Sequence, residues 1–264
     1  MKDGWEKSVL CFVLTVVGAF IVTVLFRPLA DEDGVFGFWE RMAVIIAMFV
    51  VYFFIFIAFR RTVSREDYCF KIRPDNTLVA VMIALICLLS FILVQFGAID
   101  LFAAMGVSMD SEPFYIDTWG MYIMAVFAMA ILPAVVEELL FRGVIFKSLK
   151  KYGPLLAILL SSLLFAMYHL NPMQLVYQFV MGVVFSVVYL KTNNLLYPII
   201  LHFVNNFAIV TYTFIAANDH MPYTWNAFTI ITTILLAIVG TAAIISLITI
   251  LKREERIGTT KAQG

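Results

Sequence analysis

Long apolar stretches alternate with short polar ones along the chain, and most approach the ~20 residues that carry a helix across a hydrocarbon core. They fall at 8 to 26, 42 to 59, 78 to 99, 121 to 141, 155 to 170, 173 to 190, 195 to 216 and 227 to 251. The expected fold is all-α, a polytopic transmembrane helical bundle of about eight helices. The fifth and sixth stretches are short and share a break at Asn171 and Pro172. Proline fixes its own φ and disfavours helix in the residue before it, so a turn is expected there.

The polar segments set an orientation, because basic loops stay cytoplasmic while acidic ones say little. Arg60, Arg61, Arg65, Lys71 and Arg73 follow the second stretch; Arg142, Lys147, Lys150 and Lys151 follow the fourth; Lys252, Arg253, Arg256 and Lys261 close the chain. The alternate loops carry Asp31, Glu32, Asp33, Asp100, Asp110, Glu112, Asp117 and Asp219, with only Arg27 and Arg41 basic. Both termini are therefore expected in the cytoplasm, with the protein in the cell (plasma) membrane.

Composition agrees: 63% of the 264 residues are hydrophobic and only 14% are charged, against about a quarter charged in soluble domains. Lipid must be part of the solvent, and residues 1–264 are expected to form a single membrane domain. A formal net charge of zero gives no bulk field that would point to nucleic acid. Cys11, Cys69 and Cys87 have no spacing that suggests a zinc cluster or paired bridges, and no disulfide is expected. The first apolar run is longer than a signal-peptide core and lacks a small-residue cleavage site, so it is expected to remain as a helix.

An ionisable side chain in a membrane helix is costly unless it is paired or faces a cavity, which makes it a functional candidate. Glu137 and Glu138 lie together toward the end of the fourth stretch, followed by Arg142. Glu138 and Arg142, four apart with the acid first, suit an ion pair, while Glu137 points ~100° around the axis and stays available as a base or metal ligand. His169 ends the fifth stretch one turn after Phe165, and His202 and Asn206 share a face of the seventh. There the amide suits an imidazole or a developing oxyanion. Each has a plainer role as a solvated helix end, an interfacial histidine or an interhelical polar contact. Together they favour acid/base or metal chemistry. Either Glu137 polarises water while His202 and Asn206 stabilise a tetrahedral intermediate, or Glu137, His169 and His202 ligate a divalent metal such as zinc.

At these residues the chain resembles the CAAX-protease and bacteriocin-processing (Abi) family of intramembrane endopeptidases. The family's E-E-x-x-x-R appears as Glu137, Glu138 and Arg142, its F-x-x-x-H as Phe165 and His169, and its H-x-x-x-N/D as His202 and Asn206. The turn Lys191-Thr192-Asn193-Asn194-Leu195 is also similar, and the resemblance covers about residues 121 to 210. It implies a helical membrane protease whose catalytic set is Glu137, Glu138, Arg142, His169, His202 and Asn206. It further implies cleavage of a membrane-associated or lipidated peptide near the cytoplasmic face, with the lipid bilayer as surroundings. Asn206, an amide, suits an oxyanion donor better than a ligand.

Two other classes compete. A transporter would use intramembrane Glu and His as a relay, with paired broken helices as its signature, and only one break is present. A non-catalytic immunity or scaffold protein would keep the fold without the chemistry. The expected helix ends also carry a tension. At 1.5 Å per residue they place Glu137 and His202 ~6 to 10 Å inside the cytoplasmic face but His169 ~22 Å inside. The three meet only if helices tilt, or if the fourth helix continues through Arg142 to Tyr152.

Overall fold

The computed structural model describes residues 4–31, 36–60, 116–171 and 174–219, with single helical positions at 234, 238 and 242. The expected helices at 78 to 99 and 227 to 251 lie outside the described residues, as do Pro172 and the basic loop from Arg61 to Arg73. The described residues form an all-helical bundle: α1 (Trp5–Phe26), α2 (Phe38–Phe59), α3 (Trp119–Tyr152), α4 (Pro154–Tyr168), α5 (Leu175–Thr192) and α6 (Leu196–Asp219). Five are long and apolar enough to cross a bilayer, and α4 is a shorter apolar helix. Large apolar side chains point outward, among them Phe20, Phe54, Ile123 and Val176 at 66–74% exposure. An apolar surface of this kind belongs in lipid, and the chain is an integral membrane protein.

Small residues let the helices approach. The buried face of α1 is Ser8, Cys11, Thr15, Gly18 and Val22, and a Cβ on Gly18 would lie 2.9 Å from Val51 Cγ1 of α2. In α5, a Cβ on Gly182 would lie 2.9 Å from the Ser162 backbone of α4, beside a 3.2 Å contact between the Ser161 and Ser186 hydroxyls. Lipid is as apolar as leucine, so close packing and buried polar contacts rather than solvent exclusion join such helices.

The structure corrects the fourth helix. It does not end near residue 141 but runs 34 residues, from Trp119 to Tyr152. The Thr118 hydroxyl caps its start by accepting from the Met121 N–H at 3.2 Å, and Gly153 at φ +118 ends it, a conformation that side chains with a Cβ resist. Pro154 then opens α4, where its missing N–H costs nothing. Basic residues from Arg142 to Lys151 had suggested a loop, but Arg142 is buried within the helix and only the last turn carries the lysines.

That extension removes the tension over depth. Glu137 lies ~22 Å back from Tyr152 along α3, and His169 lies ~24 Å forward from Gly153 along α4. The two arms of the hairpin are matched, so the residues stand at one level. The helices α5 and α6 are joined by Asn193, left-handed at φ 47, and by Asn194, whose side-chain oxygen accepts from Leu196 N–H at 2.9 Å.

Candidate functional site

Within α3, stretches of wider π-type winding at Val126–Ile131 and Leu139–Phe146 flank the α-helical turn pair Leu132–Glu138. Such winding frees or redirects carbonyl groups and recurs at functional sites. Two of those carbonyls are taken up by side chains of other helices: Ile145 O by the Ser8 hydroxyl at 3.0 Å and Met129 O by the Asn206 amide at 3.1 Å. Pro133, which lacks an N–H, sits at the junction just before the acidic pair.

The ion pair expected between Glu138 and Arg142 is present: Arg142 Nη1 donates to Glu138 Oε1 at 2.7 Å with both side chains fully buried. Arg142 Nη2 also donates to Gly182 O of α5 at 3.0 Å. Its guanidinium lies 4.6 Å from the ring centroid of Phe165 and 5.3 Å from that of Phe185, a cation–π clamp worth ~2 kcal/mol when desolvated. The same Glu138 oxygen meets His202 Nδ1 at 2.9 Å. A carboxylate accepts, so Nδ1 carries the hydrogen and Nε2 is turned to the other side of the ring. On that side lies Glu137 Oε2 at 3.8 Å, too far for a direct hydrogen bond. Glu137 Oε2 is buried and has no hydrogen-bond partner among the described residues.

Of the two roles open to Asn206, toward the imidazole or toward an oxyanion, the first is filled by Glu138, which meets His202 Nδ1. Asn206 instead ends a chain of hydrogen bonds. The Tyr177 hydroxyl donates to Asn205 Oδ1, Asn205 Nδ2 donates to Asn206 Oδ1 at 2.9 Å, and Asn206 Nδ2 donates to Met129 O. The amide plane is thereby set, and the second N–H of Asn206 remains to be given. His169 Nδ1 donates to Phe165 O at 2.8 Å, because a carbonyl only accepts; its Nε2 is left as an acceptor. Phe165 stands edge-on to both imidazoles, at 4.9 Å from His169 and 5.8 Å from His202, and Phe185 stacks on His202 at 5.1 Å.

Glu137, His169 and Asn206 line one cavity of ≈ 460 Å³, a size typical of ligand sites. His202 lies behind Glu137, packed between Phe165 and Phe185. Tyr52 of α2 and Tyr168 of α4 also face the cavity, and the Tyr168 hydroxyl interacts with both the Glu137 carboxyl and the Tyr52 hydroxyl. As for a metal, no group of three His, Cys, Asp or Glu side chains among the described residues is gathered closely enough to hold one. In both histidines Nδ1 is spent on a protein acceptor, the Glu138 carboxylate or Phe165 O, which leaves each Nε2 as the nitrogen that a water or a metal would meet. As placed, Glu137, His169 and His202 do not converge as a set of three ligands.

Sequence reasoning passed over Tyr168, Tyr177, Asn205, Phe185 and the Gly182 carbonyl. Asn205 adjoins Asn206 and Tyr168 adjoins His169, and adjacency was the one available signal. Tyr177 and Gly182 act across helices, through contacts 28 and 40 residues apart in the chain, and Phe185 packs on Arg142 and His202 from other helices.

The model of the Type II CAAX prenyl endopeptidase Rce1-like family matches residues 119–208, α3 through the site-bearing part of α6. The resemblance drawn from about 121 to 210 is thus shown for that segment. No curated protein matches the chain.

Proposed function

From the family match over residues 119–208, we propose that the chain is an intramembrane endopeptidase in which Glu137 activates the attacking water. The observation that carries this is the buried, unpartnered Glu137 Oε2 facing His202 Nε2 at 3.8 Å, on a cavity wall. A water that enters from the cavity donates one proton to the Glu137 carboxylate, which His202 backs, and attacks the scissile carbonyl carbon. The C–N bond breaks as Glu137 returns the proton to the leaving amine. The spare N–H of Asn206 receives the developing oxyanion, and His169 Nε2 accepts from the peptide or the water and orients it. Glu138 and Arg142 act through others: Glu138 holds the His202 tautomer, and Arg142 balances its charge.

The substrate is a membrane-associated or lipidated peptide, as the family description suggests, cleaved near the cytoplasmic face of a plasma-membrane, multi-pass protein with both termini cytoplasmic. The route is written with Glu137 and water alone, because Asn206 is an amide that suits an oxyanion better than a metal.

Full-length protein in proteoliposomes is expected to cleave a prenylated peptide ending in C-a-a-X, with products identified by mass spectrometry. His202→Ala and His169→Ala should each slow cleavage by ~10² to 10⁴ while the protein stays folded. No cleavage by the parent, or full activity in both variants, overturns the proposal.

A further inference from the structure

Glu137, His169 and Asn206 account for only part of the cavity wall. At the start of α5 that wall is made by Gln174, the helical-φ/ψ residue that caps it, and Gln178 in its first turn, four residues apart and therefore on one face. Their neighbours Leu175 and Val176 are 40% and 74% exposed, so the helix turns its apolar side to lipid and these amides inward. Neither carboxamide hydrogen-bonds a described residue, although each offers donors and an acceptor. Both side chains are half-buried on the cavity wall, so their amides stay open to a partner that enters the cavity.

Their depth is fixed by a hydrogen bond. Arg142 of α3 meets Gly182 of α5, and the two helices run in the same direction because the α4 arm returns between them. One turn back on each brings Glu138 level with Gln178. Gln178 thus stands at the depth of the acidic pair, and Gln174 lies ~6 Å further toward the α4–α5 connection. An extended chain repeats like-facing residues every ~6.6 Å, nearly the same spacing. A helix would offer no match, since its amides are already paired to one another and its body is ~10 Å wide. The cavity wall also carries the apolar side chains Ile45, Met48 and Ile209.

We propose that Gln174 and Gln178 form a subsite for the peptide backbone, each carboxamide pairing with the N–H and C=O of alternate residues of an extended substrate. The site thereby selects an unwound segment over a transmembrane helix. This inference rests on the endopeptidase reading above and adds the conformation of its substrate.

The test measures binding separately from cleavage. The full chain carrying Glu137→Gln, in nanodiscs, is titrated with a fluorescent prenylated peptide ending in C-a-a-X. Gln174→Leu and Gln178→Leu are each expected to weaken binding about five-fold, the worth of one hydrogen bond, with unchanged thermal stability. Replacing a backbone amide by an ester, scanned along the peptide, should cost about five-fold at two positions two residues apart. Each cost should vanish in the variant that lacks the matching glutamine. Binding equal to the parent in both variants, or ester penalties that persist in both, overturns the subsite. Binding without cleavage by the native chain would overturn the endopeptidase reading and leave the subsite standing; no binding by the parent overturns both.

Discussion

A single oxygen of Glu138 receives both Arg142 and His202, so charge and tautomer are set by one atom. Glu138→Gln should leave the fully buried Arg142 without its counter-ion, lowering stability by ~3 to 5 kcal/mol. Thermal unfolding in detergent would read this, and adding Arg142→Met should return much of the loss, because the unpaired charge then disappears. The hydrogen-bond chain ending at Asn206 makes a separate prediction. Tyr177→Phe frees Asn205 to turn, and with it the amide of Asn206. Steady-state assays should show kcat down about five-fold, the scale of one hydrogen bond, with KM nearly unchanged. A fall in KM-dependent binding instead would place Tyr177 on the substrate rather than behind the amide. The Glu138–Arg142 pair was legible in sequence because i,i+4 spacing on a helix is a local rule. The partner of His202 was not, because it lies 64 positions away and the locally nearest amide, Asn206, was the natural choice.

Among the elements, the α3–α4 hairpin decides whether the site exists. Its arms match only because α3 continues to Tyr152 and turns at Gly153. Gly153→Val, at φ +118, should cost ~1 to 2 kcal/mol in stability from backbone strain, read by thermal unfolding, and reduce activity by tilting α4. Gly182→Val drives a side chain into the Ser162 backbone, and overpacking of this kind costs ~1 to 3 kcal/mol; loss of cleavage should accompany it, since the Gly182 carbonyl anchors Arg142. Helix existence was readable from apolar length alone, and the described helices α1, α2, α4, α5 and α6 fall close to the expected stretches. The end of α3 was not readable. Arg142 and Lys147 look like a loop when charge is taken as exposure, yet Arg142 is buried by its ion pair and its aromatic clamp.

At the scale of the whole molecule, lipid-facing apolar helices surround a cavity of mixed polar and apolar lining that joins side chains from all six described helices. An open, amide-lined cavity beside a buried acid suits hydrolysis of a peptide that enters from the membrane. Because the proposed route has Glu137 activate water without a metal, prolonged dialysis against a strong chelator should leave the rate of peptide cleavage unchanged within two-fold; abolition restored by zinc would contradict the water-and-glutamate route. The central claim is that Glu137 is the base, and the most direct measurement is kcat for the prenylated peptide by full-length Glu137→Gln in proteoliposomes, beside the native chain. The account predicts a fall of ~10² to 10⁴ with the fold intact; turnover at the native rate would contradict it.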